Sequence, residues 1–242
     1  MHRFYAPNLG TENHVWVEGD EARHLIRVLR LDVGDEVAVF DGSGIEALGV
    51  VERAERDRVK IAIRQRDAVD RDPVLAVTLA CSVVKAKAMD LLIEKCAELG
   101  LRELVPVETR RSVPKVEHRE ASHVERWQRI AVEASKQCGR TTLTRIAPPR
   151  PLSALLARSG DWDVRLAFSL DEDALPLRTV LAEHPGPRSL IYLIGPEGGL
   201  ERAELREAAS AGFETVRLGK SILRTETAAA AALAAILYHY EA

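Results

Sequence analysis

Two glycine-bearing stretches near the C-terminus hold the residues whose types and spacing could do chemistry. The first is Gly195-Pro196-Glu197-Gly198-Gly199, after the apolar run Ser189 to Ile194 and before a helical pattern. Glycine accepts positive φ and lets a ligand approach the backbone, so three glycines and a rigid proline make a loop whose N–H and C=O groups can face a bound molecule. A tight turn between two elements would use the same residues. The second stretch is Leu218-Gly219-Lys220-Ser221-Ile222-Leu223-Arg224-Thr225-Glu226-Thr227. Its Gly219-Lys220-Ser221 looks like the end of a phosphate-cradling P-loop, but the position that needs the earlier glycine holds Glu214. The first stretch also lacks the GxGxxG spacing and the acidic ribose ligand of a dinucleotide site. Nucleotide hydrolysis and hydride transfer are both disfavoured. Thr225 reads as a helix N-cap, and Glu226 suits the positive end of the helix that follows. Arg224 reads as a surface charge, or as a cation beside the first loop if the strands ending near 194 and 218 are neighbours.

Such loops need strands to carry them. Val74 to Cys81 is a continuous apolar run, expected of a strand buried on both faces. A helix is expected from Ala86 to Leu99, closed by Gly100, then a strand at Leu104 to Val107 and a helix from Ser122 to Cys138 before Gly139. Strands at Val164 to Ser169, Ser189 to Ile194 and Thr215 to Leu218 alternate with helices at Arg202 to Ala211 and from Thr225. That alternation predicts a mostly parallel α/β sheet, whose ligands sit at the carboxyl ends of the strands. The last helix carries Ala228 to Ala232, then Leu233, Ile236 and Leu237. It reads as a core helix, or as one wedged beneath a tightly threaded chain or against a partner subunit.

The N-terminal part has a different pattern. Val59, Ile61 and Ile63 alternate with Lys60, Ala62 and Arg64, the period of a half-buried strand. Glu36 to Phe40 and Ile45 to Glu52 are further strands around the turn Asp41-Gly42-Ser43-Gly44. A helix is expected from Asp20, as N-cap, to Arg30, with Leu25, Val28 and Leu29 inward and Arg23, Arg27 and Arg30 outward. These elements predict a small β-barrel, and Asp67 to Pro73 is the expected boundary. The domains expected are thus residues 1–72 and 73–242.

Bulk properties narrow the class. The chain has 242 residues, 46% hydrophobic and 29% charged, as in ordinary globular proteins. Cys81, Cys96 and Cys138 are odd in number and lack CxxC spacing, so neither a disulfide framework nor a metal site is expected, and a cytoplasmic location is. Met1 to Pro7 carries no signal-peptide run, and no membrane span is expected. The net charge of −3 leaves nucleic-acid binding to local patches. One candidate patch runs from Ala134 to Gly160, with Lys136, Arg140, Arg145, Arg150 and Arg158 and no acid; another is Arg110-Arg111-Ser112-Val113-Pro114-Lys115. A solvated loop face would have the same charges.

Leu193-Ile194-Gly195-Pro196-Glu197-Gly198-Gly199-Leu200, followed by Leu218 to Ala228, resembles the cofactor loops of the SPOUT methyltransferases, and more narrowly the 16S ribosomal RNA uracil-N3 methyltransferases. His24 to Arg30 and Phe40-Asp41-Gly42 resemble that family's PUA-like RNA-binding barrel; Glu94 to Gly100 and Lys136 to Arg140 resemble its central segments. Glu201 stands where the family commonly has Ser or Thr as a helix cap.

The resemblance implies a C-terminal α/β domain with a trefoil knot, a rare feature, an N-terminal PUA-like β-barrel and a homodimer. It implies S-adenosylmethionine held by main chain at Ile194, Gly195, Leu218, Ile222 and Leu223, with Thr225 nearby and Pro196, Gly198, Gly199 and Gly219 completing the loops. The substrate would be 16S ribosomal RNA, within the small ribosomal subunit. Uracil N3 carries a proton, so the site needs a base, a cation that stabilises the uracil anion, or both. Glu197 is the candidate base and Arg224 the candidate cation. The target must leave its helix to expose N3. Arg23, Arg27, Arg30, Arg110, Arg111, Lys136 and Arg140 would grip the RNA. A ribose 2′-O methyltransferase and a catalytically silent RNA-binding assembly factor are the alternatives.

Overall fold

The computed structural model describes residues 1–112, 120–171 and 173–241; Val113, Pro114 and Lys115 of the second basic cluster lie outside them. The chain folds into two compact units, residues 1–72 with 132–143, and residues 73–131 with 144–242. The segment 132–143, which a boundary after residue 72 leaves with the second part, thus joins the first unit.

In the first unit β1 (His2–Tyr5), β2 (His14–Glu18), β3 (Glu36–Phe40), β4 (Ile45–Ala54) and β5 (Arg58–Ala68) form one sheet in the order β1-β3-β4-β5-β2. β1 pairs parallel to β3, and the other pairs are antiparallel. The alternation read in β5 buries Val59 and Ile61 against Val15, Val17, Val37 and Val39. Ile63 is only partly buried. β4 and β5 slip register at Leu48/Gly49, and a side chain at Gly49 would meet the Ala62 carbonyl oxygen at 2.6 Å. Only glycine therefore lets the strands approach there and bend around the core.

The helix expected at Asp20 to Arg30 takes another form. α1 covers only Gly19–Arg23, and the chain then widens into a π turn, His24–Val28, closed by Leu29 N–H donating to the His24 carbonyl at 3.0 Å. Glu18, not Asp20, precedes the helix; Asp20 lies in its first turn and pairs with Arg23. The wider winding turns Val28 out to 66% exposure and packs Ile26 against the core beside Leu25. Arg30, at φ 55°, ends the segment.

Residues 132–143 are anchored by Arg3. Its guanidinium donates to the Ser135, Lys136 and Arg140 carbonyls at 3.0, 3.1 and 3.1 Å. The first two carbonyls belong to the last turn of the helix Glu120–Cys138 and the third follows it, so one side chain ties down the helix end. Arg140 Nε reaches Asp72 at 2.8 Å, and Thr141 donates to the Val69 carbonyl at 2.6 Å.

The second unit is α/β. Strands β6 (Ala76–Ser82), β7 (Glu103–Glu108), β8 (Arg145–Ile146), β9 (Arg150–Pro151), β10 (Val164–Phe168), β11 (Leu175–Pro176), β12 (Ser189–Ile194) and β13 (Glu214–Arg217) form an all-parallel sheet. Its order is β11-β13-β10-β12-β6-β7-β8, with β9 beside β7. The helices are α2 (Ala86–Glu98), α3 (Glu120–Cys138), α4 (Leu152–Leu156), α5 (Leu177–Glu183), α6 (Arg202–Ser210) and α7 (Thr225–Glu241); the end of α3 belongs to the first unit. β6 buries six of its seven residues, as a doubly covered strand must, but it starts at Ala76, with Val74 91% exposed. Gly100, at φ 98°, closes α2 through its N–H on the Ala97 carbonyl at 3.2 Å. The two-residue strands β9 and β11 each end in a proline that opens α4 or α5. Their brevity hides them from any periodicity.

One expectation about topology is corrected. The strands ending near 194 and 218 are not neighbours, because β10 lies between β12 and β13 and pairs with both.

Candidate active site

A cavity of about 320 Å³ opens at the carboxyl ends of β10, β12 and β13. Its wall is formed by Phe168 at the end of β10 and 169–171 after it, Ile194 at the end of β12 and 195–200 after it, Leu218, Gly219, Ser221, Ile222 and Leu223 after β13, Thr225 and Ala228 of α7, and Arg111 from the turn after β7. Ile194, Gly195, Pro196, Gly198, Gly199, Leu218, Gly219, Ile222, Leu223 and Thr225 all lie in this wall, although their strands are not adjacent.

The first loop is held from within. Gly199, at φ 70°, donates its N–H to the Pro196 carbonyl at 2.8 Å. A Cβ on Gly195 would stand 2.8 Å from the Leu200 nitrogen, so the loop folds this tightly only around glycine. Glu204, buried in α6, accepts from the Glu201 N–H and from the Arg110 N–H, each at 2.8 Å. The start of α6 is therefore capped by Glu204 even though Glu201 replaces Ser or Thr.

The second loop meets the first through Thr225. This residue is buried, and its hydroxyl donates to the Gly195 carbonyl at 3.3 Å. It is the first residue of α7 and not its cap; Arg224 precedes the helix, and its carbonyl accepts the Ala228 N–H at 2.8 Å. Beneath, the Tyr192 hydroxyl donates to the Ala229 carbonyl at 3.0 Å, fixing α7 over β12. Small Ala229 and Ala232 allow that approach, and both are fully buried. Ile222 is 80% exposed over the cavity. No hydrogen bond to the main chain of Ile222 or Leu223 is found among the described residues, so the backbone there can take a ligand.

Glu197 is exposed on the cavity wall. Arg224 is exposed as well, but the wall is formed without it. Among the described residues of the wall the charges are Glu197, Asp171 and Arg111. Asp171 and its loop were not among the residues expected at the site. The signal was present, since an expected strand ends at Ser169 and ligands sit at strand ends.

The basic residues divide. Arg23, Arg27 and Arg30 are exposed in the first unit, Arg23 with its pKa raised by the hydrogen bond to Asp20. Arg110 and Arg111 are exposed in the second, facing Glu201 at 3.4 and 3.7 Å. Lys136 and Arg140 are engaged within the first unit. Lys136 is held by Glu21 at 2.7 Å and Glu133 at 2.9 Å, and Arg140 is buried against Asp72. Both hold 132–143 in place. Arg145 and Arg158 are likewise paired, with Glu103 and Asp161.

Cys81 and Cys96 are buried thiols. Burial pushes the Cys96 thiol up to about 12 and raises Cys81 too, so neither is a nucleophile near neutrality. Among the described residues no group of three or more His, Cys, Asp or Glu could hold a metal ion. No helix among them is long and apolar enough to cross a membrane.

Residues 70–237 match the family model described as an RNA methyltransferase domain, and residues 17–64 match an RNA methyltransferase PUA domain. The ribosomal RNA small subunit methyltransferase E of Bacillus subtilis (strain 168) is 30% identical over 231 residues, covering 93% of this chain and 90% of that protein. The protein of the same name from Synechocystis is 32% identical over 234 residues, covering 96% and 75%. Among solved structures, the ribosomal RNA small subunit methyltransferase E of Neisseria gonorrhoeae, bound to S-adenosyl methionine, matches with a TM-score of 0.91. It is 33% identical, with coverage of 99% and 98%.

Proposed function

This chain belongs to the RNA methyltransferase family, among the homologues of the ribosomal RNA small subunit methyltransferases E, and we propose that it transfers a methyl group from S-adenosylmethionine to N3 of a uridine in 16S ribosomal RNA of the small ribosomal subunit. The observation that carries this reading is the cavity built from the 194–200 and 218–225 loops and joined by the Thr225 to Gly195 hydrogen bond. Its size suits a small molecule; such pockets span roughly 300–1,000 Å³.

The residues present fit the donor. A Cβ on Gly199 or Gly219 would meet nothing within 4 Å, so both bare backbones leave cavity space free. Ile194, Gly195, Leu218, Ile222 and Leu223 would hold the adenosine by main chain, with Thr225 fixing the carbonyl of Gly195. When bound, the sulfonium supplies an activated methyl group. Glu197 then accepts or positions the N3 proton from the cavity wall. Holding nitrogen and methyl within about 3–3.5 Å in line provides much of the acceleration. The two loops are the threaded segments of the expected knot.

RNA contact falls to exposed arginines, Arg23, Arg27 and Arg30 in the first unit and Arg110 in the second. The enzyme works in the cytoplasm as a homodimer. In support of a dimer, α7 is apolar on most sides yet buries only Thr225, Ala229, Ala232, Leu233 and Ile236, leaving Ala234 exposed for a second copy.

The test is incubation with labelled cofactor and small ribosomal subunits, followed by mass spectrometry of nucleosides and mapping of the label. N3-methyluridine is expected. A ribose 2′-O-methyl product would replace this reading with the other RNA methyltransferase chemistry, and failure to bind the cofactor would leave an assembly factor.

A further inference from the structure

We propose that Arg111 is the cation of this site: its guanidinium, lying over the Gly198 carbonyl at the cavity wall, stabilises the charge that develops on the uracil oxygens as N3 loses its proton. The proposal rests on reading the cavity as a uracil-N3 methylation site.

Among the described residues that line the cavity, Arg111 alone is cationic. Its Nη1 donates to the Gly198 carbonyl at 2.5 Å, and its Nε faces Glu201 at 3.7 Å. Nη2 has no bond among the described residues, and the guanidinium fork has donors to spare for a pyrimidine carbonyl. A Cβ on Gly198 would stand 3.3 Å from Arg111 Cδ, so glycine there lets the arginine stem lie on the loop. Glu197, the proposed proton acceptor, is the preceding residue. The cation is thus tied to the backbone that carries the base.

The turn bearing Arg111 is also held by hydrogen bonds. Ser112 N–H donates to the Thr109 carbonyl at 3.0 Å, and Thr109 N–H donates to Ser112 Oγ at 3.1 Å. Ser82 and Thr109 hydroxyls share a hydrogen bond at 3.0 Å, and Thr109 and Ser112 share one at 2.9 Å. The next residue back, Arg110, is pinned by buried Glu204 at 2.8 Å. A donor held in place before the charge appears needs no reorganisation when it does. Arg224 lacks this arrangement, because it lies outside the wall.

The step balances. The N3–H bond breaks and its proton passes to the base. The N3 electron pair forms the bond to the methyl carbon. The carbon–sulfur bond breaks with its pair on sulfur, turning the sulfonium into a thioether. Between proton loss and methyl capture the negative charge spreads over uracil O2 and O4, where Arg111 acts.

Arg111→Ala and Arg111→Lys are compared with the unaltered protein for single-turnover rate on small ribosomal subunits across pH, for cofactor Kd by calorimetry and for RNA Kd. The alanine variant should lose about a hundredfold or more in rate, the cost of removing one preorganised donor. Its cofactor Kd should stay within about threefold, and lysine should restore part of the rate. The loss should shrink as pH rises toward the range where uracil N3 ionises unaided, which a merely structural role would not produce. An unchanged rate, a loss confined to either Kd, or a deficit independent of pH overturns the proposal. If the unaltered protein makes no N3-methyluridine, the underlying reading fails instead, and the nucleoside analysis shows which has occurred.

Discussion

The hydroxyl of Thr225 donates to the carbonyl of Gly195 at 3.3 Å, across 30 positions of sequence, inside the wall of the cavity. It joins the two loops that the parallel sheet holds apart by the width of β10. Replacing threonine by isosteric valine should leave a buried carbonyl without its donor and cost about 1–3 kcal/mol. Thermal unfolding of Thr225→Val with and without cofactor checks this, and Thr225→Ser should restore most of the loss. Unchanged stability and cofactor affinity in the valine variant would discount the bond.

Gly195→Ala tests the tight first loop by a different route. The new methyl group would stand 2.8 Å from the Leu200 nitrogen, so backbone must move. Overpacking of that kind costs about 1–3 kcal/mol. Cofactor affinity measured by calorimetry should fall at least tenfold. Tight binding by the alanine variant would mean that the loop has more slack than its geometry allows.

Glu197→Gln addresses the proton. Loss of a positioned general base lowers rates by about 10²–10⁴. The single-turnover rate should drop on that scale with cofactor affinity preserved. Full activity in the glutamine variant would remove Glu197 from the chemistry.

Two arginines should behave in opposite ways. Arg140 is buried against Asp72 at 2.8 Å, and breaking such a pair from one side costs about 3–5 kcal/mol. Arg140→Met should lower the unfolding temperature by many degrees. Exposed Arg27→Ala should leave that temperature unchanged and make the salt dependence of RNA affinity shallower by about 1 in log–log slope. Reversal of the two phenotypes would place Arg140 on the RNA surface.

The buried thiol of Cys96 predicts a pH dependence. Burial raises it from 9.0 to about 12, so the native state keeps its proton after the unfolded chain has lost its own. The contribution to stability is complete below the unfolded value and is lost as pH rises toward about 12. Denaturant midpoints of Cys96→Ala and the unaltered protein should therefore converge as alkalinity increases. A thiol reagent at pH 8 should leave Cys96 unmodified in the folded protein, and rapid labelling there would contradict its burial.

Local order made much of the molecule legible from residues alone. Ser189 to Ile194 is the strand expected, and Gly100 and Gly139 close the helices they follow, at φ 98° and 88°. Hydrophobic period and glycine punctuation are properties of a few consecutive residues, so they survive without knowledge of the fold. The same holds for the composition of the two C-terminal loops, whose ten candidate cofactor contacts all reached the cavity wall. The winding of 24–28 was out of reach, because an α turn and a π turn share a composition and only packing of Ile26 and Leu25 on the barrel chooses between them.

Tertiary structure alone decided the rest. The insertion of β10 between β12 and β13 depends on pairings between distant strands, for which no local residue signal exists. The same nonlocal pairing carried Asp171 into the cavity wall and left Arg224 outside it, while the turn after β7 brought Arg111 there. Arg140 and Arg111 are alike as letters in the chain. One is buried against Asp72 and the other lies over the Gly198 carbonyl, because a charge takes its role from the groups that folding sets around it.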